Sequence, residues 1–87
     1  MTAIGVVIPN LNGVRFLPTC LDALRRQTLP PAEIVVVDDG SRDASLDLLA
    51  KSYPEVRVVP HADTLGVARA FNDGIQATTS PIVALLN

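Results

Sequence analysis

Runs of β-branched and aliphatic residues alternate along this chain with stretches whose apolar positions fall three and four apart. Ile4-Gly5-Val6-Val7-Ile8 is the first run, stopped by Pro9-Asn10. Glu33-Ile34-Val35-Val36-Val37 is the second, stopped by Asp38-Asp39-Gly40. Val56-Arg57-Val58-Val59 precedes Pro60, and Ile82-Val83-Ala84-Leu85-Leu86 follows Pro81. Three of the four are almost continuously apolar, which predicts strands buried on both faces, as in parallel sheets.

The intervening stretches carry a helical period. Leu17, Leu21 and Leu24 form one stripe. Pro18 belongs in a first turn, so that helix is expected to begin near it after an irregular turn from Asn12, and to end by Thr28-Leu29-Pro30-Pro31. Leu46, Leu49, Ala50 and Tyr53 form a second stripe, with Ser41 or Asp43 as the expected N-cap. Val67, Ala70, Phe71, Gly74 and Ile75 form a third, with Asp63 or Thr64 as its N-cap. The order is β-α-β-α-β-α-β. It predicts an α/β fold: an open, mostly parallel sheet with helices on both faces. No internal repeat or low-complexity linker interrupts it.

Eighty-seven residues make one domain or part of one. The last run reads as a central strand, yet the chain ends beside it at Asn87, so a fragment of a larger domain is expected. The composition, 48% hydrophobic and 18% charged, is globular. A net charge of −2 without a basic stripe gives nucleic acid little to bind. One cysteine, Cys20, makes neither an internal disulfide nor a cysteine metal cage. The start lacks a basic region and a long apolar run, so no signal peptide is expected. These features predict a cytoplasmic protein, or one held at the inner face of the membrane by an anchor farther along.

In an open α/β sheet the ligand sits beyond the carboxyl ends of the strands, where strand order reverses. Residues 9–13, residues 38–41 and the terminal Leu86-Asn87 reach that rim. Asp38-Asp39 is the sharpest signal. Two adjacent carboxylates after an apolar strand must be solvated, hydrogen-bonded or paired. They can accept from a base N–H or from ribose hydroxyls; equally, they can serve the turn and cap the next helix. The loop Pro9-Asn10-Leu11-Asn12-Gly13 is not G-x-G-x-x-G, which argues against a dinucleotide cofactor, and no P-loop occurs. The acidic residues also fall in the wrong places for a phospho-acceptor receiver domain.

Five stretches together resemble the start of a family 2 glycosyltransferase with the GT-A fold. They are Val6-Val7-Ile8-Pro9-Asn10-Leu11-Asn12, then Cys20-Leu21-Asp22-Ala23-Leu24 with Gln27-Thr28, and residues 33–41 with Asp43. Residues 66–75 and Pro81-Ile82-Val83-Ala84-Leu85-Leu86-Asn87 complete the set. The resemblance covers nearly the whole chain and implies the Rossmann-like, nucleotide-binding half of that fold.

The resemblance also implies roles. Asp39 stands for the carboxylate that accepts from the nucleobase, with Asp38 as a neighbouring contact. Pro9 and Asn10 stand where the first loop packs on the base. Leu11 occupies the place of the usual aromatic residue. Arg69 is placed to reach the diphosphate, or else is a solvated helix charge. Asn87 resembles the L-L-N-x-D variant of rhamnosyltransferase-like and cell-wall sugar transferases. The carboxylates for Mg²⁺ or Mn²⁺ are then expected just after Asn87, and the general base in a C-terminal half. The implied reaction is inverting transfer of a sugar from a UDP-, GDP- or dTDP-linked donor to a saccharide, lipid-carrier or protein acceptor. This chain is expected to supply donor binding alone. The rival reading is a non-catalytic fragment that binds nucleotide weakly or associates through its sheet edge. The nucleotidyltransferases of related fold carry a Gly- and Arg-rich first loop, which residues 9–13 lack.

Other residues carry plainer expectations. Cys20 reads as a buried structural thiol, His61 as a surface residue on a loop, and Tyr53 as core. Asn12 reads as a helix-start cap or a ligand residue. Gly74 reads as a close helix–sheet contact.

Overall fold

The computed structural model describes residues 3–87; Met1 and Thr2, at the start read above for a signal peptide, lie outside that range. The elements follow the expected order: β1 Ile4–Asn10, α1 Leu17–Arg25, β2 Glu33–Asp38, α2 Ser45–Ser52, β3 Arg57–Pro60, α3 Val67–Ala77 and β4 Ile82–Leu85. The four strands lie in the order β3-β2-β1-β4, every neighbouring pair parallel. Strand order therefore reverses between β1 and β4.

Side-chain alternation splits the core into two layers. Val6, Ile8, Ile34 and Val36 face α1 and α2, meeting Leu17, Leu21, Leu24, Leu49 and Tyr53. Val7, Val35 and Val37 face α3 and meet Ala70. The central strands β1 and β2 are buried almost throughout, as their apolar runs require. Residues of β3 and β4 are half-buried or exposed, because each stands at an edge of the described sheet.

β1 runs on through Pro9 to Asn10 instead of stopping at Ile8. The Asn10 carbonyl faces β2, where it accepts from the Asp39 N–H at 2.8 Å. Pro9 therefore faces the opposite side, beyond the last β1–β4 pair at Val7 and Leu85, where its missing N–H breaks no ladder. β3 begins at Arg57, one residue later than its apolar run.

α1 has Pro18 in its first turn, as expected. Arg25 near its end ties it to α2: Nε donates to Glu55 at 2.6 Å and a guanidinium N–H to the Ser52 carbonyl at 2.8 Å. The guanidinium also stacks on the Tyr53 ring. That pairing holds the Glu55 carboxyl down to about 2. Tyr53 is buried as expected, and its hydroxyl donates to Asp22 at 2.8 Å. On the other face, a Cβ at Gly74 would collide with the Val7 and Val37 side chains, so α3 lies against the sheet at glycine distance. Val67 and Ile75, at the margins of the α3 stripe, stay exposed, as does Leu46 on α2. No helix among the described residues is long and apolar enough to cross a membrane.

Candidate functional site

The site is built from three loops at the carboxyl rim, locked together by side chains that replace missing backbone pairing. Asn10 lies opposite Asp38 in the strand register. Its side-chain amide donates to Asp38 Oδ1 at 3.0 Å and to Ser41 Oγ at 3.3 Å. Asp38 Oδ2 accepts from the Ser41 N–H at 3.0 Å, closing the turn after β2. Asp38 is 1% exposed, and its carboxylate serves this turn.

Asn12 takes a left-handed conformation at φ 54°, which its short polar side chain tolerates. It caps no helix. Its Oδ1 accepts from the N–H groups of Arg42 (2.8 Å) and Asp43 (3.3 Å), and its own N–H donates to Ser41 Oγ at 2.8 Å. Asp43 reaches back, accepting from the Val14 N–H at 3.1 Å and the Ser45 N–H at 2.9 Å. The residue at the α2 N-cap is Ala44, not Ser41 or Asp43; Asp43 serves the first turn from one position earlier.

Asp39 joins the third loop. Its Oδ1 accepts from the Leu65 N–H at 2.8 Å and its Oδ2 from the Gly66 N–H at 3.0 Å. The Thr64 hydroxyl donates to the Asp39 carbonyl at 2.9 Å. The α3 N-cap is Gly66, at φ 102°, rather than Asp63 or Thr64. Its side-chain support comes from Asp39, more than twenty residues earlier. Gly40, at φ 83°, brings the backbone so close to residues 63 and 64 that a Cβ would clash there.

His61 was expected on the surface and is instead 8% exposed at its side chain. Nδ1 lies 2.8 Å from Asp39 Oδ1 and Nε2 lies 2.7 Å from Asp73 Oδ2. The Asp39 contact raises the His61 pKa above the ordinary value. His61 in turn lowers Asp39, helped by the Leu65 and Gly66 N–H groups, and lowers Asp73. Register offered a signal for this contact: Asp38 pairs with Pro60, so the next residues, Asp39 and His61, leave the sheet side by side.

These loops frame a cleft of about 660 Å³. Pro9, Asn10, Leu11 and Asp39 line it, as do Phe16, Cys20, Thr64, Gly66, Val67 and Asn87. The structure thus brings together four of the six residues singled out in the sequence. Asp38 and Arg69 are not among the lining residues. Arg69 lies on α3 with Nε 3.2 Å from both carboxylate oxygens of Asp73. Cys20, expected to be buried, is half-buried and lines the cleft. Phe16 was not singled out, yet it is 75% exposed at the cleft wall. Its signal was an aromatic residue outside the leucine stripe. Among the described residues no group of three or more His, Cys, Asp or Glu could hold a metal ion. Asp38, Asp39 and Asp43 are instead engaged by N–H donors.

Residues 5–87 match the family described as Glycosyl transferase family 2. The chain belongs to that family. A PGL/p-HBAD biosynthesis glycosyltransferase of Mycobacterium bovis is 42% identical over 86% of this chain. The mannosyltransferase PcManGT of Pyrobaculum calidifontis, solved with GDP-Man and Mn²⁺, is 27% identical over 94% of the chain, with a TM-score of 0.84. Glucosyl-3-phosphoglycerate synthase of Mycobacterium tuberculosis, solved with Mn²⁺, UDP and glucosyl-3-phosphoglycerate, is 26% identical over 98%, with a TM-score of 0.80. The chain spans 30% of the first relative and 26% and 33% of the two solved chains. The open parallel sheet of family 2 chains is thus present here as the N-terminal part of a GT-A fold.

Proposed function

We propose that this chain is the donor-binding part of a sugar transferase, and that the rim cleft takes the nucleoside diphosphate of the donor. The observation that carries this is Asp39: a buried carboxylate, kept ionised by its donors, lining the cleft at the topological switch point. Oδ1 has two donors and Oδ2 one, so one in-plane acceptor position is left, on Oδ2. It suits a base that presents a ring N–H: uracil, thymine or guanine. Pro9 and Leu11 supply apolar wall for the base, and Asn10 sets the loop that carries them. The N-terminus of α3 opens on the cleft at Gly66 and Val67, where a helix favours an anion such as the diphosphate. Arg69 would reach that anion only by leaving Asp73.

The reaction this binding serves is inverting transfer to an acceptor hydroxyl. Asp38, Asp39 and Asp43 are held by N–H donors at the rim, which leaves none of the three free to take the acceptor proton. Among the described residues no group of three or more His, Cys, Asp or Glu forms a ligand set for a divalent cation; the two solved neighbours carry Mn²⁺. We place the protein in the cytoplasm, with a saccharide, lipid-carrier or protein acceptor.

Calorimetry with UDP and GDP, each against its N-methylated analogue at the ring N–H, tests the base contact without altering the protein. Tighter binding of at least one parent nucleotide supports it. Equal affinity of parent and methylated forms for both bases refutes it.

A further inference from the structure

The ring of His61 joins two carboxylates that come from different elements, and one of these lines the cleft. The His61 backbone N–H donates to the Asp38 carbonyl at 2.7 Å, which fixes the base of the side chain against β2. Both ring nitrogens then face carboxylate oxygens, at 2.8 Å for Asp39 and 2.7 Å for Asp73. An ionised carboxylate only accepts, so both contacts are hydrogen bonds when the ring is the imidazolium, the form that the two carboxylates favour. The charged groups around it are Asp39 from the turn after β2, Asp73 from α3, and Arg69 behind Asp73. Two carboxylates thus stand against two cations.

We propose that His61 is a positioning residue for nucleobase recognition: bridging Asp39 and Asp73, it pins Oδ1 of Asp39 and leaves Oδ2 as the oxygen offered to the ring N–H of the base. The inference rests on the nucleotide reading of the cleft given above. Without His61, the carboxylate keeps one backbone donor on each oxygen, Leu65 on Oδ1 and Gly66 on Oδ2, so both oxygens offer an open acceptor position and Oδ2 is no longer singled out. When the ring loses a proton, one nitrogen turns a lone pair toward a carboxylate, and the bridge opens at one end. Base binding therefore weakens as pH rises through the His61 pKa, which Asp39 and Asp73 both raise above 6.5.

Uridine and guanosine are the probes, because they lack phosphates that titrate in the same range. Their affinities for the full chain are measured by NMR from roughly pH 5.5 to 8.5, with the His61 imidazole titrated in the same samples. The affinity of whichever nucleoside binds is expected to fall with the imidazole midpoint. His61→Gln keeps at most one of the two hydrogen bonds and no charge. It is expected to lose about tenfold in affinity at the acid end and to show a flat profile. Asp73→Asn leaves the Asp39 contact in place and is expected to move both midpoints together to lower pH. A purely structural clamp would change the melting temperature and leave these profiles alone. Unchanged affinity and pH dependence in His61→Gln, or an Asp73→Asn profile that does not move, overturns the inference while methylated-base discrimination still supports the cleft. If His61→Gln does not fold, the wild-type and Asp73→Asn profiles decide. If neither nucleoside binds, the inference is overturned, and binding of UDP or GDP decides whether the cleft reading stands without it.

Discussion

Asn10 donates its side-chain amide to Asp38 across adjacent parallel strands, at the register pair that ends both of them. The bond joins the loop after β1 to the turn after β2, and both partners are buried. Asn10→Ala removes a donor from an enclosed carboxylate and from Ser41 Oγ. A hydrogen bond to a charged group is worth about 1.5–3 kcal/mol, and a loss of that size is expected in denaturant unfolding. Asn10→Asp sets two carboxylates against each other and should cost more at neutral pH, with partial recovery in acid.

Gly74 lets α3 approach β1 and β2. Gly74→Ala adds helix propensity but drives a methyl into the Val7 and Val37 side chains. Overpacking costs about 1–3 kcal/mol, so net destabilisation is expected. Val7→Ala in the same chain should recover part of it. A double-mutant cycle in urea measures the coupling, and strict additivity would mean that the two sites do not meet.

The network Asp39–His61–Asp73 gives stability a pH window. His61 is raised from 6.5, so its contribution is full below 6.5 and is lost as pH rises through the folded value above it. Asp39 and Asp73 are lowered from 3.8, so theirs is full above 3.8 and is lost as pH falls through their folded values below it. The network thus contributes fully between pH 3.8 and 6.5. Thermal melts of the wild type should decline on the alkaline side of that window, and His61→Gln should flatten that decline.

Strands β1 and β2 were legible because residues 4–8 and 33–37 are apolar at nearly every position, a pattern that only a strand covered on both faces accommodates. The rim loops were less legible because their partners are distant in sequence. Asp39 serves the start of α3, Asn12 holds residues 42 and 43, and Asp43 works one residue before the α2 cap. Local capping preference sees none of these. His61 was misread because a lone histidine after a strand looks exposed until strand order sets β3 beside β2. In the cleft, Pro9, Asn10, Leu11 and Asp39 were legible from the five matching stretches. Phe16 and Cys20 were not, since their exposure depends on how α1 lies over the first loop.

Leu11 lines the cleft and is half exposed, with no ring of its own to stack on a base. Base–aromatic stacking is worth about 1–3 kcal/mol. Leu11→Tyr is therefore expected to tighten binding of a UDP or GDP ligand by about tenfold, measured by calorimetry. Phe16→Ala should weaken it, because this ring is the exposed aromatic surface at the cleft wall.

Titration of the isotope-labelled chain with UDP and GDP, followed through its backbone amides by NMR, tests the nucleotide cleft most directly. The amides of Asn10, Leu11, Asp39, Gly66 and Val67 are expected to shift together and saturate with at least one nucleotide. Shifts confined to the opposite end of the sheet, or none with either nucleotide at millimolar concentration, would contradict it.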